Sequence, residues 1–208
     1  MGFIYPVDKK DSKVHGNFLD YRPKRNRYHY GKDFGNYSKG NNIYAVDDGM
    51  VIFSNFNPSG YGNAIIIKHS NGLSTLYAHM VEESPYQYGD YVKQGTVIGL
   101  IGNTGRVYSQ FGGDGTHLHF EVIDQEGTKK IESIGKYKAP NIGIKGSEHK
   151  LDPRLYLSIS KDNPKSFARE RKMNILNGNA KVKILVVNRD PPHKSSIFSL
   201  LKGKCQRS

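Results

Sequence analysis

From residue 43 to residue 122 the chain is a succession of short alternating or fully apolar runs separated by Gly, Asn and Pro. IYAVDDGMVIFSN reads as two strands joined by a tight turn at Asp47-Asp48-Gly49. GNAIIIKHSNGLSTLYAHM reads as a hairpin, with strands over 64–68 and 73–79 and a turn at Ser70-Asn71-Gly72. YVKQGTVIGLIGNTG supplies a further strand, bent at Gly95, Gly99 and Gly102, and HLHFEVID closes the series. The strands recur about every 8–12 residues with no helical period between them, which predicts an all-β fold of mainly antiparallel sheets. Two long loops interrupt the pattern: 81–90, after His79, and 103–115, which contains four glycines. Loops of this length inside compact domains commonly carry function, and these are expected to form a groove.

The pattern stops at LDPRLYL (151–157). Beyond it, 166–173 reads as a short helix and KVKILVV (181–187) as a strand, followed by a polar, basic end. The expected organisation is one β-rich domain over residues 1–160 and a basic C-terminal appendage over 161–208. Charge supports that division. The whole chain carries a net +12, and residues 161–208 hold 12 Lys and Arg against 3 Asp and Glu. Such a tail favours polyanions. The opening MGFIYPVDKK has no apolar run of signal-peptide length, and no segment approaches the ~20 apolar residues of a membrane span. A single cysteine, Cys205, excludes an internal disulfide framework and a cysteine-based zinc site, so any metal must be held by His, Asp or Glu.

Three segments offer such side chains. In GTHLHFEV, His117 and His119 share one face of a strand while Leu118 and Phe120 share the other. Glu121 is expected to point away from the histidine face and is not expected to serve as a base. In YHYGKDFG, His29 and Asp33 are four apart, and glycines on either side allow a turn that brings them together. In LYAHM, His79 ends a strand. A catalytic zinc takes three ligands of this kind and leaves one position for water, whose pKa it lowers to about 7. His15, His69, His149 and His193 lie outside these segments and read as non-ligands; Asp47, Asp48 and Asp114 read as turn-formers.

HYGKD, YAHM and HLHFEV, in this order, resemble the three motifs of the lysostaphin-type zinc endopeptidases, which cut peptidoglycan cross-bridges or stem peptides. IYAVDDGMVIFS, GYGNAIIIKHSNGLSTLYAHM, YVKQGTVIGLIGNTG and LDPRLYL are similar to the family as well, so the resemblance spans roughly residues 3–157. It implies that His29, Asp33 and His119 hold one zinc ion. It also implies that His117 and His79 share the roles of general base and oxyanion stabiliser. Tyr28, Tyr77 and Asn103 are expected to contact a peptidoglycan peptide. A non-catalytic relative that binds peptidoglycan, or a structural phage-tail component, is the alternative; such domains typically lose ligands.

Two departures from the family shape the remaining expectations. Only 28 residues precede His29, where many relatives carry a long latency segment, so the zinc site is expected to be open. Tyr5-Pro6-Val7 resembles the opening strand, but VHGNFLDYRPKRNRYH replaces a glycine-rich link and reshapes one groove edge. With no signal peptide and a substrate outside the cytoplasm, a phage-encoded enzyme is implied, either virion-associated or a lysin. Its Lys-, Asn-, Ile- and Tyr-rich composition suits an AT-rich genome. The basic tail would then meet phage tail proteins or anionic wall polymers. No base-reading motif supports specific nucleic-acid binding.

Overall fold

The computed structural model describes residues 3–8, 11–35, 39–57, 60–109, 113–134 and 148–157. The appendage over 161–208, with the helix and strand expected in it, and the boundary at residue 160 lie outside these residues.

One antiparallel sheet dominates. Its order is β1 (Val14–Gly16), β4 (Lys32–Phe34), β11 (Leu118–Ile123), β8 (Ser74–Met80), β7 (Gly62–His69), β6 (Gly49–Asn57) and β9 (Tyr91–Val92). A short strand, β12 (Lys150–Leu151), pairs with the far end of β11. Two small ladders complete the fold: β2 (Tyr21–Arg22) with β3 (Arg27–Tyr28), and β5 (Asn42–Tyr44) with β10 (Val97–Leu100).

The expected hairpin is present as β7 and β8. Its turn places Gly72 at φ 83°, and the Asn71 side chain accepts the Leu73 N–H. The Asp47-Asp48-Gly49 turn does something different. β5 pairs with β10 and β6 pairs with β7 and β9, so this turn passes the chain from one sheet to the next instead of closing a hairpin. Tyr5-Pro6-Val7 forms no strand. Val7 makes one isolated bridge to Ile43, which suits a segment whose proline lacks a ladder donor.

Alternation along β6, β7, β8 and β11 buries both faces of the main sheet. Val51, Ile65, Ile67, Tyr77, Leu118, Phe120 and Val122 pack on one face against Phe3, Ile43, Ile98 and Ile101. Ile52, Phe53, Ala64, Ile66, Leu76, Ala78 and Ile123 pack on the other with Ile131. Ile131 belongs to a helix that the hydrophobic pattern did not predict, α1 (Gln125–Ile134). The Asp124 side chain caps it by accepting the Gly127 N–H at 2.7 Å. QEGTKKIESI carries too few apolar positions for a helical stripe to stand out.

Tyr77, expected to contact substrate, is instead fully buried in the first core. Its hydroxyl accepts the Val46 N–H at 3.0 Å, across the interface between the main sheet and the segment leading from β5. Tyr77→Phe is expected to leave that buried N–H unpaired and to lower stability by about 1–3 kcal/mol. KM should stay unchanged. Urea unfolding and steady-state kinetics read the two effects separately, and a raised KM with unchanged stability would return Tyr77 to the binding surface.

Candidate metal centre

The second face of β11 carries the chemistry. His119 lies directly across the ladder from Asp33 on β4 and from Ala78 on β8. Cross-strand neighbours on one face are within side-chain reach, so the Asp33 carboxylate meets the His119 ring, with Oδ1 2.8 Å from Nδ1. His29 reaches the same point from the turn between β3 and β4: its Nε2 is 3.0 Å from His119 Nδ1 and 3.0 Å from Asp33 Oδ1. Gly31 makes this possible, because a Cβ there would stand 2.6 Å from His119 Cε1. The glycine of HYGKD is therefore a clearance for the opposing imidazole.

The outward-facing nitrogens fix which ring atoms face inward. His29 Nδ1 donates to the Asn17 carbonyl at 2.8 Å, leaving Nε2 as its donor atom. His119 Nε2 donates to Glu121 Oε1 at 2.9 Å, leaving Nδ1. Arg22 Nη2 donates to Asp33 Oδ2 at 2.8 Å, leaving Oδ1. Two imidazole lone pairs and one carboxylate oxygen thus converge within about the ligand separation of a tetrahedral cation with ~2.0–2.2 Å bonds. Zinc fits this donor set. Among the described residues this is the group of His, Cys, Asp and Glu side chains arranged to hold a metal.

Burial opposes charging His119, but its hydrogen bonds to Asp33 and Glu121 outweigh that and raise its pKa to about 9. Burial likewise opposes ionising Asp33, yet the His119 and His29 rings against its carboxylate hold it well below the ordinary carboxylate value.

Glu121 corrects the expectation that it points away. Residues 117, 119 and 121 share one parity, so its carboxylate lies on the histidine face. It is buried, accepts the Tyr61 hydroxyl at 2.9 Å and pairs with the buried Lys150 ammonium. Burial acts to raise its pKa, but Lys150 and His119 hold it down at about 2. Tyr61 in turn stacks on His119 with centroids 5.9 Å apart. A carboxylate behind a ligating imidazole fixes its tautomer and orientation. Glu121→Gln is expected to weaken zinc affinity about 10–100-fold. A chelator competition reads this, with Glu121→Gln/Lys150→Met as the control that leaves no unpaired buried charge.

His79 and His117 stand beside the three donors. Their ring centroids are 4.7 Å apart, and His117 Nε2 is 3.7 Å from Asp33 Oδ1. Each donates Nδ1–H to a backbone carbonyl at 2.7 Å, His79 to Thr104 and His117 to Gly115. Burial lowers both pKa values, that of His79 to about 3. Both rings are therefore neutral at pH 7, with an unprotonated Nε2.

His79 owes its place to a bulge. Tyr77 pairs with Ile65 and Met80 with Asn63, so β8 carries one more residue than β7 over this stretch. His79 takes up the difference at φ 64°, in the left-handed region. Tyr77 and Met80 both face the first core as a result, and His79 joins the opposite face.

The other expected positions divide as follows. Tyr28 is 50% exposed and packs on Tyr21 at 5.4 Å. Asn103 braces the glycine-rich loop, its amide donating to the Asp114 carbonyl at 3.1 Å. His69 and His149 bond elsewhere, to Asp48 and Thr75 and to Asp124 and Lys130, and His15 bonds the Gly35 carbonyl. His193 lies outside the described residues.

An antiparallel-sheet domain with two histidines and one carboxylate converging on a single point, and two neutral histidines beside it, defines a mononuclear metal-centre domain of the hydrolytic kind. The profile of peptidase family M23 matches residues 27–132, a stretch that contains all five residues, and the chain belongs to this family. It is 41% identical over 96 residues to DD-carboxypeptidase/endopeptidase Mpg of Neisseria meningitidis, covering 46% of this chain and 20% of the relative. It is 32% identical over 173 residues to peptidoglycan DD-endopeptidase ShyA of Vibrio cholerae, covering 81% and 36%. A zinc-containing peptidase from Vibrio cholerae superposes with a TM-score of 0.52 at 33% identity, over 60% of this chain and 37% of that one. The chain thus spans about a fifth to a third of the length of these curated relatives.

Proposed function

We propose that this protein is a zinc-dependent endopeptidase that hydrolyses peptide bonds in bacterial peptidoglycan, acting at the cell wall. The observation that carries the reading is the convergence of His29 Nε2, Asp33 Oδ1 and His119 Nδ1 within 3.0 Å, with a neutral His117 at 3.7 Å. A zinc ion held there would supply Lewis acidity toward a scissile carbonyl and would bring the pKa of water to about 7. His117 is the nearer of the two free imidazoles to the donor oxygen, and its Nε2 is the acceptor for the proton of the attacking water. Its Nδ1–H stays on the Gly115 carbonyl throughout, which fixes the ring during transfer. His79, anchored to Thr104, stands where a second imidazole can hold a proton against the developing oxyanion. The DD-endopeptidase names of the two relatives support cross-linked stem peptides as substrate.

Purified sacculi incubated with the zinc-loaded chain are expected to release new amino groups. The release should disappear with a chelator and in His117→Ala. New reducing ends without new amines would mean that sugar bonds are cut. No product from sacculi of several chemotypes would favour a domain that activates another hydrolase, the role named for murein hydrolase activator NlpD of Salmonella typhimurium, 38% identical over 89 residues. The Lys-, Asn-, Ile- and Tyr-rich composition supports a phage of an AT-rich host as the source. Fractionation of virions with an antibody against this chain tests that origin.

A further inference from the structure

Residues 17–28, within the stretch VHGNFLDYRPKRNRYH, form an arm that ends in the β2–β3 ladder and carries no acidic residue from Tyr21 to Tyr28. A 3-10 turn at Pro23–Arg25 and a left-handed Asn26, whose side chain accepts the Tyr21 hydroxyl, give the arm a defined tip. That tip meets the opposite loop: Lys24 donates to the Tyr108 hydroxyl and Arg25 Nη2 lies 3.5 Å from the Arg106 carbonyl. The arm and loop therefore collect Arg22, Lys24, Arg25, Arg27 and Arg106 on the margin of the metal centre.

These charges are arranged at a cost. Arg22 and Arg27 are directly opposed across the ladder, a pairing that destabilises a two-stranded ribbon unless an anion intervenes. Among the described residues only Arg22 has one, the ligand Asp33. Among the described residues no carboxylate lies within ion-pair distance of Lys24, Arg25, Arg27 or Arg106. The nearby candidates are committed elsewhere, Asp20 to the Asn17 N–H and Asp114 to Lys39 and Thr116. Partial desolvation, together with repulsion from Arg27, Arg22 and Arg106, makes Arg25 a weaker base than usual.

We propose that Lys24, Arg25, Arg27 and Arg106 form a carboxylate-recognition site that selects an anionic peptide, one bearing free carboxylates next to the scissile bond. This rests on the peptidase reading above and adds to it the charge of the substrate. Position favours a carboxylate of the molecule being cut over a distant polyanion. Arg27 lies across the ladder from Arg22, which bonds the ligand Asp33, and the Asp33 charge acts on Arg25, so an anion held here is near the metal centre. Guanidinium groups suit the task because their planar forks bind carboxylates through paired hydrogen bonds.

The test is binding of two cross-linked muropeptide dimers to the zinc-loaded full chain carrying His117→Ala, one dimer with free stem carboxylates and one with them amidated. Calorimetry at low ionic strength is expected to show about tenfold tighter binding of the free form, the size of one charge-assisted contact. The preference should shrink as salt is added and vanish in Arg25→Gln/Arg106→Gln; Arg27→Gln, at an exposed position, serves as a second probe. Equal affinity for both dimers overturns the proposal, as does a preference that survives the Gln substitutions. Purified teichoic acid binding more tightly than either dimer also overturns it, by assigning the site to a wall polymer. Cleavage by the unsubstituted chain is scored apart. A charge preference without cleavage would sink the peptidase and keep the site, and cleavage without preference would do the reverse.

Discussion

His119→Ala is expected to bind no stoichiometric zinc and to lose at least about 10³-fold in hydrolysis, because the several kcal/mol supplied by a Lewis-acid metal depart with it. The size of the effect follows from where His119 stands. Its Nδ1 is 2.8 Å from Asp33 Oδ1 and 3.0 Å from His29 Nε2, so removing the ring leaves two donors with a gap between them. Two donors do not make the three-ligand site of a catalytic zinc. The fold should survive, since Glu121 keeps its ion pair with Lys150 and its hydrogen bond from Tyr61. Metal analysis of the purified variant, with far-UV circular dichroism, checks both halves. One zinc per chain in a folded His119→Ala variant would refute the assignment of this ligand.

His79→Asn is expected to lower kcat about 10²–10⁴-fold, the range for losing a positioned proton-transfer group, while leaving stability unchanged or slightly raised. Asparagine is chosen for the backbone. At φ 64° a non-glycine residue is strained, and Asn tolerates that region better than most. His79→Val, with a β-branched side chain, should lose activity and also about 1–3 kcal/mol of stability. The pair separates the imidazole's chemistry from its conformational cost. Equal kcat in His79→Asn and the parent would remove His79 from the reaction.

Much of this site was legible in the chain itself. HLHFEV announces a strand with two faces, and the alternation sends Leu118 and Phe120 to the core and His119 to the opposite face. The same period, continued to residue 121, places Glu121 beside His119, so the expectation that it points away fails on the alternation itself. Tyr77 shows the opposite fault. Strict alternation puts Tyr77 and His79 on one face, and only a left-handed residue separates them, a conformation that a histidine does not advertise. The cations of RPKRNR were visible as charge, but that they face a loop some 80 positions later depends on tertiary packing. Lys150 likewise reaches Glu121 through β12, a two-residue strand with no pattern to read.

His29 and His119 are 90 positions apart in the chain and share one coordination point. An ion bound there acts as a reversible cross-link between the turn before β4 and the strand β11. It closes a large chain loop that the unfolded polymer leaves open. Its affinity is therefore partly a folding free energy, and at 100 times Kd it would add about 2.7 kcal/mol to the native state. For a domain of this size that corresponds to a rise in melting midpoint of roughly 5–10 °C. The thermostat of this protein would thus be the supply of free zinc around it, and melting curves would read its metal loading with no substrate present.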